Sequence, residues 1–209
     1  MDRIPRTATV AITALTALAW LIALLAGASD RATVAMGFIP ARFSGLVVLP
    51  GAVPAILTPL TATLVHSGLV HLGFNLLVFV WCGTQVERVL GRTALILMYV
   101  VGAYSSALLQ WASSPASMTP MIGASGAISA VIGAFALSFG RPRPFTSNVS
   151  LNRLINVIWL MVAWVILQVM MGWLAGGQGY LLATPAHIGG FAAGLLLQRP
   201  LLLFHYRRA

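Results

Sequence analysis

Six apolar runs divide this chain, and no other feature of the sequence restricts its fold as much. They lie at about 8–28, 59–83, 93–112, 124–139, 154–174 and 185–204. A helix needs about 20 apolar residues to cross the roughly 30 Å hydrocarbon core of a bilayer, and five of the runs come close to that length. Lipid offers no hydrogen bonds to the backbone, so such runs must be helical. Charged residues make up only 7% of the chain, against about 25% in soluble domains. The expectation is an all-α integral membrane protein, one domain over residues 1–209, with its core at about 59–204. The fourth run is short. From Ala124 to Phe139, before the Gly140-Arg141-Pro142-Arg143-Pro144 stop, it covers only about 24 Å at about 1.5 Å per residue. With its arginine-flanked end at the membrane surface, its other end stops inside the membrane, and Ser125 sits there.

Six spans return both termini to one side. Arg3, Arg6, Arg88, Arg92, Arg141, Arg143, Arg153, Arg199, Arg207 and Arg208 then share that side, and only Arg31 and Arg42 fall opposite. The positive-inside rule makes the arginine-rich side cytoplasmic, in a bacterial inner membrane, with Ser125 nearer the outer face. The net charge of +9 therefore reads as membrane orientation and not as a nucleic-acid surface. The stretch ending Ala26-Gly27-Ala28 imitates a cleaved signal, but its apolar part exceeds the usual 7–15 residues, so an uncleaved first span is expected. The single cysteine, Cys82, excludes an intrachain disulfide and a cysteine metal cluster. Residues 29–58 carry Pro40, Pro50 and Pro54, which argue against a seventh regular span and for an irregular outer loop partly embedded in the membrane.

Polar side chains inside a span are expensive and point to function. The second run holds His66, His71 and Asn75. On one continuous helix His71 and Asn75 share a face, and His66 lies about 140° from His71 on an adjacent one. The sixth run holds His187 near its outer end. Spans two, four and six run in the same sense, so His66, His71, Ser125 and His187 fall at one depth. Three histidines could hold zinc, yet those spans supply no carboxylate, and the His-Glu-x-x-His pattern is missing. A proton-coupled transporter would carry intramembrane carboxylates or inverted repeats. The acids Asp2, Asp30 and Glu87 lie in loops or at a loop edge, and no repeat is visible.

Serine with histidine fits the residues better. A serine hydroxyl becomes a useful nucleophile when an adjacent base takes its proton, and His187 titrates in the right range to do so. With no intramembrane aspartate the arrangement is a dyad. Backbone N–H groups at the start of a short helix can stabilise an oxyanion, and His71 and Asn75 can add donors. Gly123 and Gly126 allow the close backbone approach that such a turn requires.

These residues resemble the rhomboid family of intramembrane serine proteases. Gly123-Ala124-Ser125-Gly126 matches its G-x-S-G motif at the opening of the fourth helix. His66, His71 and Asn75 match H-x4-H-x3-N, and Glu87 with Gly91 matches E-x-x-x-G. Ala186, His187, Gly190 and Gly194 match A-H-x-x-G-x3-G. The resemblance covers about residues 59–195. It implies a six-transmembrane-helix rhomboid-like bundle that cleaves transmembrane protein substrates in the lipid bilayer without cofactor or metal. Ser125 would be nucleophile and His187 general base. His71, Asn75, Gly123 and Ser125 would form the oxyanion hole, with His66, Gly126, Gly190 and Gly194 in support. An inactive relative that only binds transmembrane clients is the alternative, but this chain keeps both serine and histidine. Two positions depart from the family. Leu57-Thr58 stands where many members have Trp-Arg. Ser129 stands where many have an aromatic residue packed under the histidine.

Spacing adds a packing expectation. Gly190 and Gly194 share a face with His187, and Ser125, Ser129 and Gly133 form a small-residue stripe on the fourth helix. Two such stripes can bring backbones close enough for the dyad to form.

Overall fold

Small residues in the middle of an apolar chain become the packing centre of its structure. The computed structural model describes residues 7–139, 145–174 and 183–207, without the side chains of 171–174. Arg3, Arg6, Arg141, Arg143, Arg208, the stop at 140–144 and most of the loop near 175–184 lie outside the described residues. The helices among the described residues are α1 (Thr7–Leu25), α2 (Ser29–Met36), α3 (Pro40–Phe43), α4 (Thr58–Thr61), α5 (Leu69–Leu90), α6 (Arg92–Ser113), α7 (Ser125–Phe139), α8 (Val149–Leu174) and α9 (Thr184–Tyr206). Five of them, α1, α5, α6, α8 and α9, are long and apolar enough to cross a membrane. At 15 residues α7 is shorter, rising about 22 Å. The chain is an integral membrane protein with an all-helical bundle of the expected kind.

Helix α7 is the centre of that bundle. Residues 124–134 are buried without interruption, and α6 and α9 make its closest contacts. Its sequence, Ser-Gly-Ala-Ile-Ser-Ala-Val-Ile-Gly-Ala, explains this, because small side chains let neighbouring backbones approach on several sides. The outer helices show the converse pattern. Val10, Leu18 and Ile22 on α1 and Leu154, Ile158 and Val162 on α8 point away from the bundle, as lipid-facing positions should.

Three sequence expectations change. The run 59–83 is not one span. Pro59 is the second residue of the one-turn helix α4, a short 3-10 turn follows over Ala62–Leu64, and residues 65–68 are irregular before α5 begins at Leu69. His66 therefore precedes the helix and does not sit on an adjacent face of it. Apolar composition runs straight through this break, so hydropathy does not register it, and only Ser67-Gly68 marks it locally. Second, the loop 29–58 contains α2 and α3 and is tied down. Phe38 and Met121 exchange backbone hydrogen bonds of 3.0 and 2.8 Å. The Trp111 indole N–H donates to Ser44 Oγ at 2.8 Å, and Arg42 donates to the Val53 carbonyl at 2.7 Å. Third, Glu87 is not a loop-edge acid. It is buried in the last turns of α5, and its carboxylate accepts from the N–H groups of Ala8 and Thr9 and from the Thr9 hydroxyl at 2.6–3.0 Å. These are orphan donors of the first turn of α1, so the carboxylate caps that helix and meets the positive end of its dipole.

Candidate active site

The loop entering α7 aims Ser125 at α9. Gly123 has φ +104°, a conformation that L side chains rarely adopt, and a Cβ there would lie 2.7 Å from the His71 ring. Glycine is thus required twice at this position. The Gly123 N–H donates to the Ala62 carbonyl at 2.9 Å. The Ala124 N–H donates to His66 Nε2 at 3.4 Å. Both contacts fix the turn that starts α7, and both occupy their N–H donors within the protein. Gly123 consequently shapes the turn, while the first-turn N–H groups from Ser125 onward have no i−4 carbonyl to bind.

Ser125 Oγ lies 2.9 Å from His187 Nε2. That is hydrogen-bond distance and within the reach proton transfer needs. Both residues are buried, at 8% and 5% exposure, which keeps bulk water from competing for this contact. The helices approach this closely because α9 has no side chain where they touch. A Cβ at Gly194 would collide with the Ala130 carbonyl, and one at Gly190 with the Gly126 carbonyl. On the other helix a Cβ at Gly133 would strike the Phe191 carbonyl. The contact stripe on α7 is therefore Gly126, Ala130 and Gly133, with Ser129 at its margin. Of the expected stripe of Ser125, Ser129 and Gly133, Gly133 lies on the seam and Ser129 borders it, while Gly126 and Ala130, each one residue on from Ser125 and Ser129, make the closest contacts. Adjacent Gly189 faces α6, where its Cβ would lie 2.6 Å from the Ser105 carbonyl, so α9 is wedged between α6 and α7.

His71 and Asn75 reach the same place from α5. Both side chains flank the space where a Gly123 Cβ would stand, with Asn75 Nδ2 at 3.6 Å. Asn75 is fully buried, yet among the described residues neither Nδ2 nor Oδ1 has a partner. An unpaired buried amide costs about 1–3 kcal/mol, so its presence beside a serine points to a group that binds only during function. Ser67 Oγ lies 3.1 Å from His71 Nδ1. A neutral His71 that accepts this hydroxyl carries its proton on Nε2, one of the two ring atoms nearest Gly123. His66 packs edge-on against His71 with ring centroids 4.9 Å apart. The structure thus brings Ser125, His187, His71, Asn75, Gly123 and His66 together. Gly126, Gly190 and Gly194 form the seam behind them. The described residues bring no three metal-ligating side chains to one point.

Three neighbours escape the sequence reading. Ser67 is four residues before His71, a spacing that could have flagged it. Ser106 on α6 is buried and would lie 2.6–2.7 Å from a Cβ at Gly126 or Gly190. Trp164 on α8 is 4% exposed, donates its indole N–H to Ser129 Oγ at 2.7 Å and sits edge-on to His187 at 6.4 Å between centroids. It is one of three tryptophans on α8, with Trp159 and Trp173, and nothing local in the sequence sets it apart from them.

The family profile of the rhomboid domain matches residues 54–204. RHOMBOID-like protein 4 of Arabidopsis thaliana is 27% identical over 144 residues, 69% of this chain and 34% of its own. The rhomboid protease GlpG of Pectobacterium atrosepticum is 32% identical over 138 residues, 64% of this chain and 44% of its own. The rhomboid protease GluP of Bacillus subtilis is 31% identical over 100 residues, 47% of this chain and 19% of its own. The matched region spans from about a fifth to less than half of the length of these relatives.

Proposed function

The chain belongs to the rhomboid family, and we propose that it is an intramembrane serine endopeptidase working through a Ser125–His187 dyad. The observation that carries this reading is the 2.9 Å contact between Ser125 Oγ and His187 Nε2, beside a buried asparagine with unpaired polar atoms. In the acylation step His187 Nε2 takes the Ser125 proton as Oγ attacks the scissile carbonyl. The oxyanion forms beside the first-turn N–H of Ser125, with Asn75 Nδ2 and His71 Nε2 as side-chain donors. His187 then gives its proton to the leaving amine. Water attacks the acyl ester in the second half, with the same histidine as base. A client-binding relative without catalysis would have no use for a serine held against a buried histidine.

Substrates on this reading are transmembrane segments of other membrane proteins. A regular helix hides its carbonyls in hydrogen bonds, so cleavable segments should carry Gly, Ala or Pro that let the backbone extend near Ser125. The arginine distribution supports cytoplasmic termini and cutting near the outer face. The test is cleavage of a single-span substrate by purified protein in proteoliposomes. Wild type should cleave a Gly-Ala-containing segment well and a poly-Leu segment poorly. Ser125→Ala and His187→Ala should each abolish cleavage while inserting normally. Wild-type turnover by a pure Ser125→Ala protein contradicts the assignment.

A further inference from the structure

A general base must be held in one orientation, and a third group usually does so by hydrogen-bonding the ring nitrogen remote from the nucleophile. Among the described residues His187 has no such partner. Its Nδ1 is buried and makes no hydrogen bond to a described residue. Within the described residues the orientation of the ring rests on packing. The aromatic ring set against it is the Trp164 indole, at 6.4 Å between centroids and 72° between planes.

That indole is itself held firmly. It stacks on Phe74 of α5 at 6.0 Å and 19°. Its Nε1–H donates to Ser129 Oγ at 2.7 Å. The fully buried Ser129 hydroxyl in turn donates to the Ser125 carbonyl at 2.7 Å. A chain of two hydrogen bonds thus runs from the wall of the histidine to the backbone of the nucleophile. Position 129 is small enough to leave room for the indole, and its hydroxyl supplies the acceptor that a buried indole N–H needs. A large aromatic side chain at 129 would compete with Trp164 for the same volume.

We propose that Trp164 is a positioning residue for His187, clamped by Ser129, which supplies from α8 the wall that this dyad does not receive from a carboxylate or from position 129. The inference rests on the dyad reading of Ser125 and His187. It predicts that Trp164 acts on the activation of Ser125 and not on the binding of whatever reacts with it.

The test uses a small fluorophosphonate probe on full-length protein in detergent, with the labelling rate resolved into kinact and KI. A small probe separates histidine positioning from any effect of α8 on the approach of a large substrate. Trp164→Ala should lower kinact by about 10²-fold, the scale of a 1 Å misplacement, with KI held within about twofold. Adding Ser129→Tyr to Trp164→Ala returns an aromatic ring to the vacated volume and should restore part of kinact. Should Trp164→Ala fail to accumulate as folded protein, Trp164→Phe carries the test, with a kinact loss of about two- to tenfold from the missing hydrogen bond. A kinact at the wild-type value, a loss confined to KI, or no restoration by Ser129→Tyr overturns the positioning role. Absence of labelling in the wild type itself instead overturns the dyad reading beneath it.

Discussion

Helices α7 and α9 hold the candidate dyad by direct backbone contact, whereas α8 reaches it with one long side chain. Along the α7–α9 seam, glycines meet carbonyl groups, and no rotamer can change to relieve a misfit. Along α8 the buried positions are few, among them Asn152, Val157, Trp164 and Gln168, while most of the helix faces outward. Position on the first seam is set by main-chain sterics. Position on the second is set by an indole and two hydrogen bonds. Chemistry that tolerates little displacement sits on the rigid seam, and only its lateral support comes from the sparsely packed helix.

Substitutions can separate these two kinds of restraint. The largest effect should come from Gly194→Val, which drives side-chain atoms into the Ala130 carbonyl. It should remove measurable turnover, and normal turnover would mean that the seam does not set the Ser125–His187 distance. Asn75→Ala comes next. Deleting an oxyanion donor typically costs about 10²–10³ in rate, and the backbone donor at Ser125 should keep the loss near the lower value. A change in KM alone would make Asn75 a binding contact. Ser129→Ala keeps the helix surface small but removes the clamp on Trp164, so turnover should fall by only about two- to tenfold. Glu87→Gln should change turnover least, by less than about twofold, because Glu87 lies 16 residues along α5 from His71, about 24 Å away. It should still lower the melting temperature, since a charge-assisted cap on α1 contributes about 1–3 kcal/mol. A large activity loss in Glu87→Gln at a temperature where it stays folded would tie the cap to the site.

The long helices and the short α7 were legible because hydropathy and helix rise set them directly. The four motifs were legible because each is a local string, and the resemblance they carried pointed to the family that the domain match shows. The break at 65–68 was hidden because Val65 and the residues around His66 remain apolar enough to continue a span. The burial of Glu87 was hidden because its partners, Ala8 and Thr9, lie 79 and 78 positions away. The α7 stripe was legible at Gly133 but not at Gly126 and Ala130, since Ser, Ala and Gly are all small and the sequence offers no contrast among them. Trp164 was invisible for a different reason. Its significance comes from what Ser129 lacks, and the two residues are 35 positions apart.

The dyad stands or falls on whether His187 activates Ser125. Labelling purified protein with a fluorophosphonate, followed by mass spectrometric mapping of the modified residue, tests it most directly. Wild type should carry the phosphonyl group on Ser125, and His187→Ala, folded to the same melting temperature, should remain unlabelled. Equal labelling of Ser125 in both proteins, or modification at any other serine in its place, would mean that His187 does not activate Ser125.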